Sequence, residues 1–207
     1  MSGIKIGVLS IQGNVYEHIV HMKNILDVRH ISGNVFGVKL LDDMENLDGL
    51  IIPGGESTTM SKLMRKFDVY DRIIELHDKE IPILGTCAGS IMLSKEIIDA
   101  GEHDVKTLGL MDMKVSRNSY GRQRESFESV IDVKDGADTK SIPGIFIRAP
   151  GIVELWGNAK AAGWLGADIV MAVQDNTIAT TFHPELSDDT TVHEMFLDIA
   201  MKRKKMH

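Results

Sequence analysis

One cysteine, Cys87, lies in the segment Gly85-Thr86-Cys87-Ala88-Gly89, with a glycine two residues to each side. An apolar run precedes it and a helical pattern follows, so the spacing predicts a sharp strand-to-helix turn that presents the thiol as a nucleophile. Side chains at the flanking positions would collide in such a strained turn. The helix N-terminus would favour the thiolate, and the Ala88 N–H would be available to an oxyanion. The alternative is an unreactive cysteine buried at a strand end.

A thiolate enzyme also needs a proton carrier, and imidazole is suited to that task. Among eight histidines, His183 stands out because it follows an apolar run and precedes Pro184 and Glu185. In an extended chain, side chains two residues apart point to the same side. We therefore expect the Glu185 carboxylate to hold the imidazole in the tautomer that accepts the Cys87 proton, as in a catalytic triad. Without Cys87, the same residues would be interpreted as an ordinary turn.

Two further histidines, His18 and His21, lie three residues apart on one face of a predicted helix. Such a pair can contribute to a metal site, but no matching cluster of carboxylates or cysteines accompanies it. We predict no metal site and expect both imidazoles at the surface or at an interface.

The elements that must position these residues alternate in the first half of the chain. Apolar runs at 4–9, 47–52 and 82–84 predict buried strands, with short strands expected at 28–31 and 38–40. Between them, apolar residues at three- and four-residue intervals predict helices at 15–26 and 69–77, and another helix with its apolar face at 60–67. Ser57-Thr58-Thr59 is expected to cap the helix at 60–67. A further helix is expected from Ala88, burying Ile91, Met92, Ile97 and Ile98.

The second half is richer in strands, from 107–131 through 145–147, 153–156, 169–173 and 178–182, before a last helix at 192–205. Alternating strands and helices predict an α/β fold, with a mostly parallel twisted sheet covered by helices on both faces. The 207 residues, 43% of them apolar, contain no repeat or linker and suit one domain spanning 1–207.

Composition excludes several classes of function. A formal charge of -7 argues against nucleic acid, whose phosphates demand clustered Lys and Arg. The longest apolar runs fall far short of the roughly 20 residues that cross a bilayer, so no membrane span is predicted. The N-terminal residues lack the features of a secretory signal, and we expect a cytoplasmic protein. A lone cysteine can form neither an internal disulfide nor a typical structural zinc site.

The segment around Cys87, taken with Phe182-His183-Pro184-Glu185, resembles the class I (triad) glutamine amidotransferases. Three more segments are similar to motifs of the glutaminase subunits of pyridoxal 5'-phosphate synthase, and the resemblance runs from Ile6 to Leu186. These segments are Pro53-Gly54-Gly55-Glu56-Ser57-Thr58-Thr59, Arg117-Asn118-Ser119-Tyr120-Gly121-Arg122-Gln123 and Phe146-Ile147-Arg148-Ala149-Pro150.

The resemblance implies a role for each matching residue. Cys87, His183 and Glu185 would form the triad, and the N–H groups of Gly55 and Ala88 would stabilise the oxyanion. A guanidinium can grip the α-carboxylate of glutamine, while backbone atoms near Ile147 fix its amino end. The residues implied to bind glutamine are Gly55, Glu56, Ser57, Arg117, Ile147 and Arg148.

The implied activity is hydrolysis of L-glutamine to L-glutamate and ammonia, without a cofactor on this chain. Ammonia would pass to a partner, the (β/α)₈-barrel synthase subunit that makes pyridoxal 5'-phosphate. We expect the chain alone to be a weak glutaminase, with the helix containing Glu17, His18 and His21 and the Gly54-Gly55 turn on the docking face. Two alternatives remain: another hydrolase, such as a cysteine peptidase or γ-glutamyl hydrolase, and a non-enzymatic regulatory binder.

Overall fold

The computed structural model describes residues 3–98, 105–117, 119 and 126–206, which contain five α-helices and twelve strands. None of these helices is long and apolar enough to cross a bilayer. The helices are α1 (Val15–Val28), α2 (Ser57–Lys66), α3 (Val69–Asp78), α4 (Ala88–Leu93) and α5 (Thr191–Met206). The strands are β1 (Ile4–Leu9), β2 (Gly33–Val38), β3 (Gly49–Ile52), β4 (Ile83–Thr86), β5 (Ser94–Ile98), β6 (Met111–Ser116), β7 (Ser126–Asp135), β8 (Asp138–Ile147), β9 (Gly151–Leu155), β10 (Lys160–Leu165), β11 (Asp168–Gln174) and β12 (Thr177–Thr180).

Nine strands form the main sheet, in the order β2-β1-β3-β4-β12-β11-β10-β7-β8. The strands from β2 to β12 pair in parallel, whereas β12, β11, β10, β7 and β8 pair antiparallel. The prediction of a mostly parallel sheet is therefore wrong, although the α/β class is correct. Helices connect β1 to β2 and β3 to β4, while tight turns suffice for antiparallel neighbours. Such turns follow β7, β10 and β11, with positive φ at Gly136, Gly166 and Asp175.

The strands of the parallel half are buried on both faces. Alternate residues of β3 show this, because Leu50 and Ile52 belong to the core beneath α2, α3 and α4, whereas Ile51 belongs to the core beneath α1 and α5. A near-continuous apolar run is the expected sequence for such a strand. The predicted strand at Ile4–Leu9 is confirmed, and the predicted last helix is confirmed to within one residue as α5.

The predicted helix from Ala88 is half wrong. It ends at Leu93, and Ser94–Ile98 forms β5, which pairs in parallel with β6 in a second, three-stranded sheet with β9. Ser94 is extended, and its hydroxyl donates a hydrogen bond of 2.8 Å to the Ile91 carbonyl of the last helical turn. The adjacent β-branched residues Ile97 and Ile98 favour a strand.

The short strand expected at 28–31 is also wrong, because α1 continues to Val28 and β2 occupies Gly33–Val38. These shifts leave the arrangement of the parallel half unchanged. Strands β1, β3, β4 and β12 all end at one edge of the sheet, where the chain continues to Gln12, Gly54, Cys87 and His183. In an open α/β sheet this carboxyl edge is where sites gather.

Candidate active site

Cys87 sits between the end of β4 and the start of α4 with φ 48° and ψ −110°, a conformation rare for a residue with a side chain. Its N–H donates a 2.8 Å hydrogen bond to the Thr180 carbonyl of β12. Its own carbonyl accepts from the Ser90 hydroxyl at 2.7 Å. The predicted strand-to-helix turn is therefore present, and neighbouring elements hold its strain in place.

The glycines that flank the cysteine have a steric reason. A Cβ on Gly85 would lie 2.5 Å from Leu93 Cδ1, and one on Gly89 would lie 2.1 Å from the Ile52 carbonyl oxygen. Backbone cannot yield as a flexible side chain does, so Gly89 in particular admits no side chain. The steric explanation given for the spacing of this segment is confirmed.

His183 follows β12, and its N–H donates to the Ile145 carbonyl of β8 at 2.8 Å. Its imidazole lies beside the Cys87 side chain, which raises the pKa of the ring. On the other side of the ring, Nδ1 lies 2.7 Å from Glu185 Oε1, which also accepts from Asn14 Nδ2 at 3.0 Å. The structure thus brings Cys87, His183 and Glu185 together in the order that a triad requires.

The path from His183 to Glu185 differs from the expected extended chain. Pro184–Leu186 form one turn of 3₁₀ helix, with proline at its first position. Proline suits that position because its fixed φ matches the helix and no N–H is needed there. The turn, rather than a strand, brings the carboxylate to the imidazole.

Burial and neighbouring charges shift the pKa values of Glu185 and His183 in opposite directions. Burial would raise the pKa of Glu185, but the neighbouring His18 and His183 and the hydrogen bonds from His183 and Asn14 lower it to about 2. Burial alone would lower the pKa of His183, but hydrogen bonds and charges of Cys87 and Glu185 raise it well above its ordinary value. The arrangement therefore favours an imidazolium beside an ionised Glu185, a form ready to donate a proton.

The turn after β3 packs directly against the reacting groups. A Cβ on Gly54 would lie 2.5 Å from His183 Cε1 and 3.2 Å from Cys87 Cβ, so only glycine fits without moving the imidazole. Gly55 follows and lines a cavity of about 350 Å³ beside Cys87. The cavity is lined by Gly55, Glu56, Ser57, Cys87, Ala88, Ile91, Arg117, Arg148 and Pro150.

Most residues expected to bind glutamine therefore line one cavity. Ile147, the last residue of β8, places its carbonyl oxygen 3.8 Å from Cys87 Sγ. Arg148 follows with φ 44°, at the point where the chain leaves the strand. Of the motif that begins at Arg117, residues 118 and 120–123 lie outside the described residues.

Glu56, rather than the serine and threonines after it, caps α2. Its carboxylate accepts from the N–H groups of Thr58 at 3.0 Å and Thr59 at 2.7 Å. Arg117 Nη2 lies 3.1 Å from the same carboxylate. Although partial burial of Glu56 opposes the shift, the hydrogen bonds from Thr58 and Thr59 lower the pKa of its carboxyl group to about 2. The prediction that Ser57-Thr58-Thr59 caps this helix is wrong, since all three residues are already helical.

Comparison with known proteins adds to this geometry. A model of the SNO glutamine amidotransferase family matches residues 8–202. The chain belongs to this family.

Two relatives of this SNO family member are proteins named pyridoxal 5'-phosphate synthase subunit PdxT. One, from Thermococcus kodakarensis, is 48% identical over 199 residues, covering 96% of this chain and 100% of that protein. The other, from Saccharolobus islandicus, is 44% identical over 200 residues, covering 95% and 99%. A solved structure described as a glutamine amidotransferase aligns with a TM-score of 0.82 and 38% identity over 95% of this chain and 98% of that one.

The prediction that the His18 imidazole lies at the surface or at an interface is wrong. The side chain is fully buried rather than at the surface, with Nε2 3.2 Å from Thr86 Oγ1 and 3.4 Å from Glu185 Oε2. Residues at i, i+4 and i+7 share a helix face, and Met22 and Ile25 stand at those positions after His18. This spacing could have located the imidazole on the buried face of α1. A docking face that includes the His18 side chain is excluded, and His21 is half-buried.

Proposed function

We propose that this chain is a glutaminase that hydrolyses L-glutamine to L-glutamate and ammonia and supplies the ammonia to a synthase subunit that makes pyridoxal 5'-phosphate. The observation that carries the proposal is the row Cys87, His183 and Glu185 beside a cavity lined by two arginines. The names of the PdxT relatives, which this chain matches over nearly their full length, support the same activity.

In the first step, Cys87 Sγ attacks the amide carbon of glutamine. The carbonyl electrons move to oxygen, where the N–H groups of Gly55 and Ala88 stabilise the charge. Collapse of this intermediate breaks the carbon–nitrogen bond, and the His183 imidazolium donates its proton to the departing ammonia. A thioester remains on Cys87. Since Nδ1 faces Glu185, Nε2 is the nitrogen assigned to this transfer.

In the second step, a water molecule attacks the thioester carbon. His183, now neutral, accepts one proton from that water, and the thiolate leaves as the new carboxylic acid forms and releases its proton to solvent, giving glutamate. The imidazolium and thiolate are then restored, so the cycle balances without a cofactor. Glu185 remains ionised throughout and holds the ring through Nδ1.

Glutamine would lie in the cavity with its side-chain amide at Cys87. Arg117 and Arg148 are assigned to its α-carboxylate because guanidinium groups bind carboxylates with paired hydrogen bonds. The backbone at Gly55 and Ile147 and the N-terminal turn of α2 at Glu56 and Ser57 would complete the contacts.

Ammonia that escapes into water is protonated and loses its nucleophilicity. A (β/α)₈-barrel synthase subunit would therefore receive it directly, in a heteromeric complex whose lyase activity builds pyridoxal 5'-phosphate. We assign this complex to the cytoplasm, where reducing conditions keep a nucleophilic thiol such as Cys87 free. The family match over residues 8–202 supports one glutamine amidotransferase domain spanning 1–207.

The decisive test is hydrolysis of L-glutamine by the chain mixed with its synthase subunit. We expect activity that rises with synthase concentration, and Cys87→Ala is expected to lower it about 10⁴-fold or more because the nucleophile is lost. A glutamine-like electrophile should label Cys87 in the wild type only. Equal turnover of γ-glutamyl peptides, or activity retained in Cys87→Ala, would contradict the proposal. Unchanged thermal unfolding and synthase binding serve as the controls on the variant.

A further inference from the structure

Behind Glu185 lies a histidine row, formed by His18 and His21 of α1 and His193 of α5. His18 Nε2 is 3.4 Å from Glu185 Oε2, and His18 Nδ1 is 2.9 Å from His193 Nε2. The His193 ring stacks on His21 with centroids 4.4 Å apart. His18 and His193 are both fully buried. Three imidazoles thus extend the line that begins at Cys87.

Buried polar groups are costly unless they are partnered, so two fully buried imidazoles need a physical reason. Burial lowers the pKa of His18 to about 4 and the pKa of His193 well below its ordinary value. Both rings are therefore neutral at neutral pH. A neutral imidazole has one N–H and one bare nitrogen, so each ring must choose a tautomer.

The anionic carboxylate decides that choice. Glu185 is ionised and can only accept hydrogen bonds, so a bare Nε2 on His18 would place lone pair against lone pair at 3.4 Å. His18 must therefore carry its proton on Nε2. Its Nδ1 is then an acceptor, and the nitrogen at 2.9 Å, His193 Nε2, must be the donor. His193 Nδ1 is left bare, and it has no hydrogen-bond partner in the described part of the chain.

The two oxygens of the carboxylate differ in their partners. Oε1 accepts from His183 and Asn14, whereas Oε2 has no partner within standard hydrogen-bond geometry among the described residues. The Nε2–H of His18 is the polar contact close to Oε2, shared with Thr86 Oγ1 at 3.2 Å. This N–H opposes rotation of the carboxylate away from His183.

We propose that His18 is a positioning residue for Glu185, with its tautomer fixed by His193, so that the carboxylate keeps Oε1 on the His183 imidazole. The inference rests on the proposed glutaminase function. His18 touches neither the cavity nor Cys87, and it acts through Glu185 alone.

Two substitutions of His18 separate a hydrogen-bonding role from a packing role. In His18→Gln, the new side-chain amide nitrogen can occupy the place of Nε2 and donate to Glu185. In His18→Asn, the shorter side chain reaches only the place of Nδ1. In the complex with the synthase subunit, we expect His18→Asn to lower kcat about tenfold, because the polar contact that holds the Glu185 carboxylate in place is lost. KM for glutamine should stay within about twofold, and His18→Gln should retain kcat within about threefold.

A substrate-free measurement distinguishes failure of this inference from failure of the proposed function. The proton on His183 Nδ1, bonded to Glu185, is followed by nuclear magnetic resonance in each variant. Its resonance should move upfield in His18→Asn and stay in place in His18→Gln. If the wild type does not hydrolyse glutamine but the resonance responds in this way, the positioning role stands and the function fails.

A second pair keeps the test open should His18→Asn fail to fold. His193→Gln keeps a donor to His18 Nδ1, while His193→Leu removes it at similar volume. The resonance and kcat should change in the leucine variant only. His77→Asn, on α3, is the control and should leave both unchanged. The proposal would be overturned if the two substitutions within each pair had equal effects, or if none had an effect. It would also be overturned if the losses of kcat merely followed the melting temperatures of the variants.

Discussion

The parallel half of the main sheet leads into Cys87, His183 and the turn at Gly54, whereas the antiparallel half ends beside the same cavity in Ile147 and Arg148. In the parallel half, neighbouring strands end together, so the groups that follow them meet without long loops. In the antiparallel half, the long β7–β8 hairpin brings backbone and one arginine to the cavity from the side.

The difference suggests a division of labour. Groups after the parallel strands would carry the reaction and set kcat, while groups at the end of β8 would hold the substrate and set KM. Two contacts of β8 join the halves at the site: the Ile145 carbonyl accepts from the His183 N–H at 2.8 Å, and the Ile147 carbonyl oxygen lies 3.8 Å from Cys87 Sγ. Substitutions in each half test this division.

The largest effects on kcat are expected at His183 and Glu185, in the segment that follows β12. His183→Asn removes the proton carrier and should lower kcat about 10⁵-fold or more, while Glu185→Gln removes orientation and charge and should cost about 10⁴-fold. Glutamate release in the synthase complex measures both. The reverse order of the two losses would show that the base and the orienting group are wrongly assigned.

A pair of glycine substitutions compares the two halves directly. Gly54→Ala places a Cβ 2.5 Å from His183 Cε1, and displacing the imidazole should lower kcat about 100-fold. Gly166→Ala, in the β10–β11 turn, meets no atom within 4 Å but has φ 59°. That variant should lose about 1 kcal/mol of stability and keep kcat unchanged. Similar kcat in both variants would contradict the proposed division.

The sequence predicts most of the parallel half, with the exception of β2, because local pattern and position coincide there. A run buried on both faces, such as Ile4–Leu9, followed by a helical pattern, has few other solutions. The spacing of glycines around Cys87 and the pair His183 and Glu185 located the candidate site for a similar reason, since each reflects a local steric or chemical need.

The antiparallel half and the surroundings of His18 depend on contacts between residues that are distant in sequence. Whether a strand pairs parallel or antiparallel is decided by its neighbour, and β10 lies between β11 and β7, which the chain does not visit in order. The environment of His18 is set by Thr86, Glu185 and His193, which lie on other elements. No local pattern contains those contacts, although the helical face of His18 does indicate burial.

A smaller effect is expected at the end of β8. Arg148→Asn removes the guanidinium but keeps a residue that tolerates the positive φ of 44°. Loss of a charge-assisted contact to the substrate carboxylate should raise KM for glutamine about tenfold, with kcat within about twofold. Lys140→Gln, on the same hairpin, is the control and should change neither. A fall in kcat without a change in KM would place Arg148 with the reacting groups instead.

The last prediction concerns stability rather than catalysis, on the face of the parallel half that packs against α1. Burial lowers the pKa of His18 from 6.5 to about 4, so below pH 6.5 the unfolded chain binds a proton there that the folded chain does not. Stability is therefore lost as pH falls through this window. Between pH 7 and pH 5 the wild type should lose about 2 kcal/mol more unfolding free energy than His18→Gln, which has no group to titrate at this position. Urea unfolding at the two pH values measures the difference, and His77→Gln should lose as much as the wild type. Equal losses in wild type and His18→Gln would mean that His18 is not held neutral in the fold.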